Sequence, residues 1–376
     1  MLTLMHQTNL IKAINLLQQK GIPFALYQHP ENGETHLIAQ AEPVHLVHNI
    51  KEICYSSGFL VFPFESARTG VGYFINSDLF ADTSQGLIDF IEKVKQMPNR
   101  ASVTSKIESY ELSKQAYLKI AQNLIRRLKN GDLQKVVLSR LKVVKPDNRF
   151  DLASLYIRLV KQYPNTFVYL FSIPDVGTWI GATPETLLSQ KPGGEVVIMS
   201  LAGTATFDKN GKVHWGNKEI VEQQYVSEFI RERLLKLGIK KFIEEKPKTV
   251  RAGHLAHIQT IFKVDGIDAD KNIDKLVEAL HPTPAVCGLP QYDAYSLIED
   301  VEPHGRKFYT GFLGPWRLNG QSDLYVNLRC AEVNNDTLNL YVGGGLTADS
   351  DAEKEWQETE LKAQTLLSVI NNKSSS

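Results

Sequence analysis

Glu355 and Glu358 stand three residues apart in the stretch Tyr341 to Lys362 (YVGGGLTADSDAEKEWQETELK), with Lys362 four residues further on. On a helix these three side chains share a face. Two carboxylates on one rigid face suit a hard cation such as Mg²⁺, which takes one or two carboxylates and fills its shell with water and substrate oxygens. Ahead of them, Gly343, Gly344 and Gly345 let the backbone come close to a ligand and offer N–H groups to an anion. Ser350 and Glu353 read as a capping box, which sets the helix start near Asp351. Ala363, Leu366, Leu367 and Ile370 then recur at helical spacing, so one stripe faces a core. Taken alone, such a pattern is more often a solvated charged face after a glycine turn.

Other residues of chemical interest lie in strand-like runs. In LQKVVLSRLKVV (133–144), Lys135, Val137, Ser139, Leu141 and Val143 share one face, and Val136, Leu138 and Arg140 share the other. Lys135 therefore sits on a mostly apolar face, where desolvation favours the neutral amine and makes a general base. At the strand end it could equally snorkel to solvent. In GATPETLL, Thr183-Pro184 breaks a strand and Glu185 restarts it. A carboxyl partly desolvated there would hold its proton and could donate it. Arg329, amid Leu, Val and Cys, is out of place in a buried strand unless it binds an anion. His254 and His257 lie in another strand-like run, where a histidine is more often a satisfied core residue. HPTPAVCGLP (281–290) reads as a rigid loop fit to line a pocket.

The bulk numbers narrow the function. Forty-two basic residues balance 42 acidic ones in 376, which argues against a nucleic-acid footprint. A hydrophobic content of 43% allows a large core, in one big domain or two. Cys54, Cys287 and Cys330 form no metal spacing and no even framework, so a reducing compartment is expected. The start lacks a signal-peptide pattern, and no apolar run reaches membrane-spanning length. These points lead to an expectation of a cytoplasmic protein without nucleic-acid or membrane partners. The triple glycine lacks GxGxxG spacing, and there is no GxxxxGK[ST] loop, so neither a dinucleotide fold nor a P-loop is expected.

The elements that must position these residues follow from periodicity. Helices are expected over 7–20, 86–97, 113–129, 152–162, 218–236 (carrying Glu219, Glu222, Gln223 and Tyr225) and 271–280. Strand-like runs are expected over 23–28, 35–40, 59–64, 133–144, 241–247, 254–263, 308–317 and 322–333. TFVYLFSI, GTWIGATPETLLSQ, EVVIMSLAGTA and TLNLYV read the same way. No regular βαβ alternation appears. The pattern predicts an α+β fold, layered, with mostly antiparallel sheets. Residues 1–105 read as an N-terminal scaffold and 106–371 as the part that bears the chemistry.

Taken together, these motifs resemble the chorismate-utilising enzymes, the family of anthranilate synthase large subunits, aminodeoxychorismate synthase and isochorismate synthase. The resemblance covers roughly the C-terminal two-thirds of the chain. It rests on KVVLSR, GATPETLL, LAGT (Leu201 to Thr204), the helix with Glu222, His257 to Thr260, HPTPAVCGLP, Arg306 with Tyr309 and Gly311, LRCA, and GGGLTADSDAEKEWQET, in the family's order. It implies one large α/β/α sandwich over 1–376. Within the family the pattern is similar to the isochorismate synthases. Ala202 stands where the aminodeoxychorismate type has a lysine nucleophile, and Ala285 where anthranilate and salicylate types usually have threonine.

The resemblance therefore implies water as nucleophile, chorismate as substrate and no amidotransferase subunit; with no strong interface signature in the sequence, a monomer is expected. It implies Lys135 as general base, Glu185 as general acid, and Glu222, Glu355 and Glu358 as Mg²⁺ ligands. It implies substrate contacts from Ala202, Gly203, Thr204, His257, Ala285, Tyr309, Arg329, Gly343, Gly344, Gly345 and Lys362. Gln223 departs from the histidine many relatives carry there. The product would feed menaquinone, siderophore or salicylate synthesis, and a salicylate synthase is the rival within the family.

Overall fold

The computed structural model describes residues 4–30, 33–100, 109–146, 151–252, 255–266, 272–334 and 336–371. His254 and the start of the 271–280 helix lie outside them. The strand Phe167–Ile173 shows the organising pattern. Phe167, Tyr169 and Phe171 face one way and Val168 and Leu170 the other, and all five are buried. A strand apolar on both faces must be covered on both. Two sheets supply the inner cover and helices the outer.

The nine-stranded sheet runs in the order Gly288–Leu289, Lys135–Val144, Thr337–Leu346, Cys330–Asn334, Gly177–Thr183, Phe167–Ile173, Phe24–Gln28, Thr35–Ala39 and Leu79–Ala81. The ten-stranded sheet runs Phe242–Glu244, Leu255–Val264, Val196–Thr206, Thr186–Gln190, Ser322–Val326, Phe312–Trp316, Gly58–Phe62, Gly72–Asn76 and Leu46–Val47, with Lys248–Ala252 also on Leu255–Val264. Neighbours pair antiparallel throughout. Between the sheets lies an aromatic cluster of Tyr27, Phe59, Phe167, Tyr169, Phe171, Trp179 and Tyr341. Helices Leu4–Lys20, Ser84–Gln96 and Leu152–Gln162 cover the outer face of the first sheet. Asn217–Lys236 and Ile273–Leu280 cover that of the second. The expected layered α+β architecture is thus observed. Strands from the first hundred residues are built into both sheets.

Two runs that look continuous in sequence change sheets midway. GTWIGATPETLLSQ gives Gly177–Thr183 to the first sheet and Thr186–Gln190 to the second. SDLYVNLRCAEV gives Ser322–Val326 to the second and Cys330–Asn334 to the first. Pro184 has no N–H to continue a ladder, and Arg329 turns the chain with a φ of 50°. The strands on either side of each break pair with each other. The crossings therefore run side by side, held by Val326 N–H to Glu185 O (3.0 Å) and Ala182 N–H to Arg329 O (3.2 Å).

Periodicity missed the helix Gln291–Val301. It begins directly after the HPTPAVCGLP loop, and Pro290 at its N-cap reads as the end of that loop. Among the described residues no helix is long and apolar enough to cross a membrane.

Phe59 is fully buried between the sheets and belongs to an N-terminal strand. Phe59→Ala is expected to destabilise the whole chain by about 3–5 kcal/mol. Urea unfolding should show a single transition with a lowered midpoint. A separate early transition would mean that the N-terminal strands unfold on their own.

Candidate active site

The two crossings and the glycine end of Thr337–Leu346 enclose a narrow cleft. Glu185, Glu222, His257, Tyr309, Arg329 and Lys362 line it, with Ala202, Gly203, Thr204, Ala285 and Gly343 to Gly345. Residues far apart in sequence thus converge on one space. Lys135, Glu355 and Glu358 do not line it but stand against its glycines. A Cβ at Gly345 would lie 2.6 Å from Glu222 Oε1 and 2.9 Å from Lys135 Cε, and one at Gly344 would lie 3.3 Å from Glu355 Oε2. Bare backbone at these positions is a steric requirement.

Glu185 is only 4% exposed. Burial raises its pKa to about 8, against the opposing pull of Lys135, Lys362 and Arg329. It is a carboxylic acid, with a proton to give, at neutral pH. Its place at the sheet crossing explains the burial, because both sheets wall it in. Lys135 is fully buried on the strand face between the sheets, which settles the choice between a buried and a snorkelling lysine. Its Nζ lies 2.9 Å from Glu222 Oε1, within ion-pair range though not aligned as a hydrogen bond.

Each of the three expected metal carboxylates is met by a lysine. Glu222 faces Lys135, Glu358 Oε1 is 2.7 Å from Lys362 Nζ, and Glu355 Oε1 is 2.5 Å from Lys218 Nζ. Among the described residues no three His, Cys, Asp or Glu side chains close on one point. The donor set still fits Mg²⁺: it is all oxygen, and Glu355 Oε2 is buried without a partner. The helix begins at Ala352 as expected, but its cap is Asp351, which accepts from Lys354 N–H. Ser350 instead donates to Glu355 Oε1 (2.8 Å), so the expected capping box is replaced by support for a site carboxylate.

His257 faces a bulge in Val196–Thr206, where the register slips between Ala202 and Ala205 and Gly203 adopts a φ of +70°. Burial, with Arg329 nearby, lowers its pKa to about 3, so the ring is neutral. Nδ1–H donates to Gly203 O at 2.8 Å. That fixes the tautomer and leaves Nε2 as a buried acceptor without a partner in the cleft wall. Its chemistry there is that of a neutral hydrogen-bond acceptor. Lys362 Nζ also donates to Gly343 O (2.8 Å), and Tyr309 stacks on Tyr341 at 5.5 Å.

Beneath the cleft lies a support that periodicity did not find. Glu302 Oε1 accepts from Ser139 N–H (2.7 Å), and Arg306 pairs with both Glu302 oxygens. Arg306 also donates to Val286 O (2.7 Å) and Val137 O (2.8 Å), tying the loop of Ala285 to the strand of Lys135. Arg306 stood among the motifs of the resemblance, but Glu302 was signalled only by its i,i+4 spacing to it. A larger cavity of about 770 Å³ touches the cleft only at Pro184 and Leu201. It carries charged groups of its own, Glu34, Asp323, Lys191 and Lys248, but Glu185, Glu222, His257, Arg329 and Lys362 gather at the smaller space.

A family model described as chorismate binding enzyme matches residues 75–371. The chain belongs to the chorismate-binding enzyme family. It is 30% identical over 246 residues to isochorismate synthase EntC of Escherichia coli K12, a match covering 63% of this chain and 62% of that relative. The chain thus spans less than two thirds of the length of that relative. The DhbC structure from Bacillus anthracis superposes with a TM-score of 0.76 at 26% identity, over 95% of this chain and 99% of that one. Anthranilate synthase component I from Streptococcus pneumoniae shares the fold, with a TM-score of 0.67 at 17% identity over 91% and 89% of the two chains.

Gly345→Ala tests the geometry. The added methyl meets Glu222 and Lys135, and the expected result is loss of at least ~10²-fold in turnover, the scale of a disturbed acid–base pair. The melting temperature should fall by only a few degrees. Unchanged turnover would mean that the backbone is not tightly enclosed there.

Proposed function

We propose that the chain is an isochorismate synthase, which converts chorismate reversibly to isochorismate. The observation that carries the reading is Glu185, a buried carboxyl protonated at neutral pH, in the same cleft wall system as a buried lysine. The reaction needs one group to give a proton and another to take one. Water adds at C2 of the ring, the double bonds shift, and the C4 hydroxyl departs. Lys135 would serve as the base that takes a proton from the attacking water. Glu185 protonates the departing oxygen, which leaves as water, so substrate and product are isomers. The reverse reaction uses each group in the opposite sense.

Arg329 and Lys362 supply positive charge for substrate carboxylates, and Tyr309 a phenol donor. His257 Nε2 accepts from a ring hydroxyl. Ala202 and Ala285 put no nucleophile or hydroxyl into the cleft, which favours water as the added group. Glu222, Glu355 and Glu358 would hold Mg²⁺. Bound there, it would neutralise a substrate carboxylate and help fix the ring. The reading includes a cytoplasmic monomer that works without an amidotransferase subunit.

Incubation with chorismate and Mg²⁺, followed by chromatography, should give isochorismate in equilibrium with chorismate. Salicylate and pyruvate would point to the rival family reaction. Lys135→Ala and Glu185→Gln should each lower the rate by at least ~10²-fold with folding intact. Near-normal turnover would remove that residue from its role.

The acid also predicts a pH dependence. Forward rate should fall as pH rises through about 8, as Glu185 loses its proton. Stability should follow the same sign. The carboxyl ionises near 4.5 when unfolded and near 8 when folded, so the folded state binds the proton more tightly between these values. That contribution is complete below 4.5 and is lost as pH climbs to about 8. Glu185→Gln should therefore melt above the parent at pH 9, and an equal or lower melting point would contradict a neutral buried carboxyl.

A further inference from the structure

We propose that Lys218 is a resident counter-cation of the carboxylate site, whose ammonium a divalent ion must displace from Glu355 in order to bind. The inference rests on the Mg²⁺ reading of Glu222, Glu355 and Glu358. Of the three lysines that meet those carboxylates, two have other work. Lys135 is buried beside Glu185 and Glu222, and Lys362 lines the cleft and holds Gly343 O. Lys218 does not line the cleft.

Its placement is specific. Lys218 is in the first turn of Asn217–Lys236, one turn ahead of Glu222 on the same helix, and its side chain is 21% exposed. From there the ammonium reaches across to Glu355 Oε1 on the C-terminal helix at 2.5 Å. Glu355 explains why some cation must stand there. It is 2% exposed, its Oε1 is met by Lys218 and Ser350, and its Oε2 has no partner. A buried carboxylate without a counter-charge is costly. A lysine near solvent, on a flexible four-carbon stem, can fill that need and still withdraw. A divalent ion would then compete with it for charge and for space.

The test is direct Mn²⁺ binding to the substrate-free full chain, read by electron paramagnetic resonance, with thermal melts in chelator and in excess Mg²⁺. Lys218→Met should bind Mn²⁺ about tenfold more tightly than the parent, the usual scale for a group that tunes a metal site from outside its ligands. It should melt lower in chelator and gain more from Mg²⁺ than the parent does. Lys218→Arg keeps the pair and adds a second N–H to it, so it should bind Mn²⁺ more weakly than the parent; this variant keeps the charge balance if the methionine form does not fold. Equal or weaker binding by Lys218→Met, or tighter binding by Lys218→Arg, overturns the proposal. Glu358→Gln separates this failure from failure of the metal reading. If Mn²⁺ binds it as it binds the parent, the ion is not held by these carboxylates and the proposal falls with that reading.

Discussion

Burial lets a carboxyl group keep its proton at neutral pH, and at Glu185 that burial comes from two strands changing sheets together. Neither sheet alone could do it. One face of each sheet is closed by helices, and the space between them is filled by aromatic rings. At the crossings the two sheets share a wall, and a side chain there is enclosed by both. The same constraint places Arg329, whose carbonyl is bonded to Ala182 and whose guanidinium lines the cleft. An acid and an anion-binding base from opposite halves of the chain are thus fixed by one structural event.

The electrostatics have a similar economy. Three carboxylates and three lysines meet around the glycine strand, each pair joining different elements except Glu358 and Lys362. These charges balance, as do those of the whole chain. Removing any one member leaves a buried partner uncompensated, which is costly in a low-dielectric site. Arg329 lies outside this pairing and faces the cleft.

Much of this was legible in the residues. TFVYLFSI and LQKVVLSRLKVV read as strands, the second with two largely apolar faces, and the oddity of Arg329 and the kink at Glu185 marked the positions that the fold brings together. What was not legible depends on tertiary context. Nothing local says that GTWIGATPETLLSQ and SDLYVNLRCAEV each serve two sheets, because a proline or a left-handed residue inside a run reads equally well as a bulge. Lys218 looked like an ordinary surface lysine, since its partner Glu355 is 137 residues away. Ser350 fitted a helix cap by spacing, but Asp351 took that place and Ser350 turned to a carboxylate. Side-chain chemistry was readable wherever a residue type clashed with its local pattern; partnerships across long sequence separations were not.

The paired crossings have a mechanical consequence. Two stiff layers joined along a line can rock against each other only about that line, as covers rock about a spine. Displacement grows with distance from the spine and vanishes on it. Glu185 and Arg329 lie on it, each accepting through its carbonyl a backbone hydrogen bond from the other crossing. Breathing of the layers would open or narrow the cleft while leaving Glu185 and Arg329 at a constant separation.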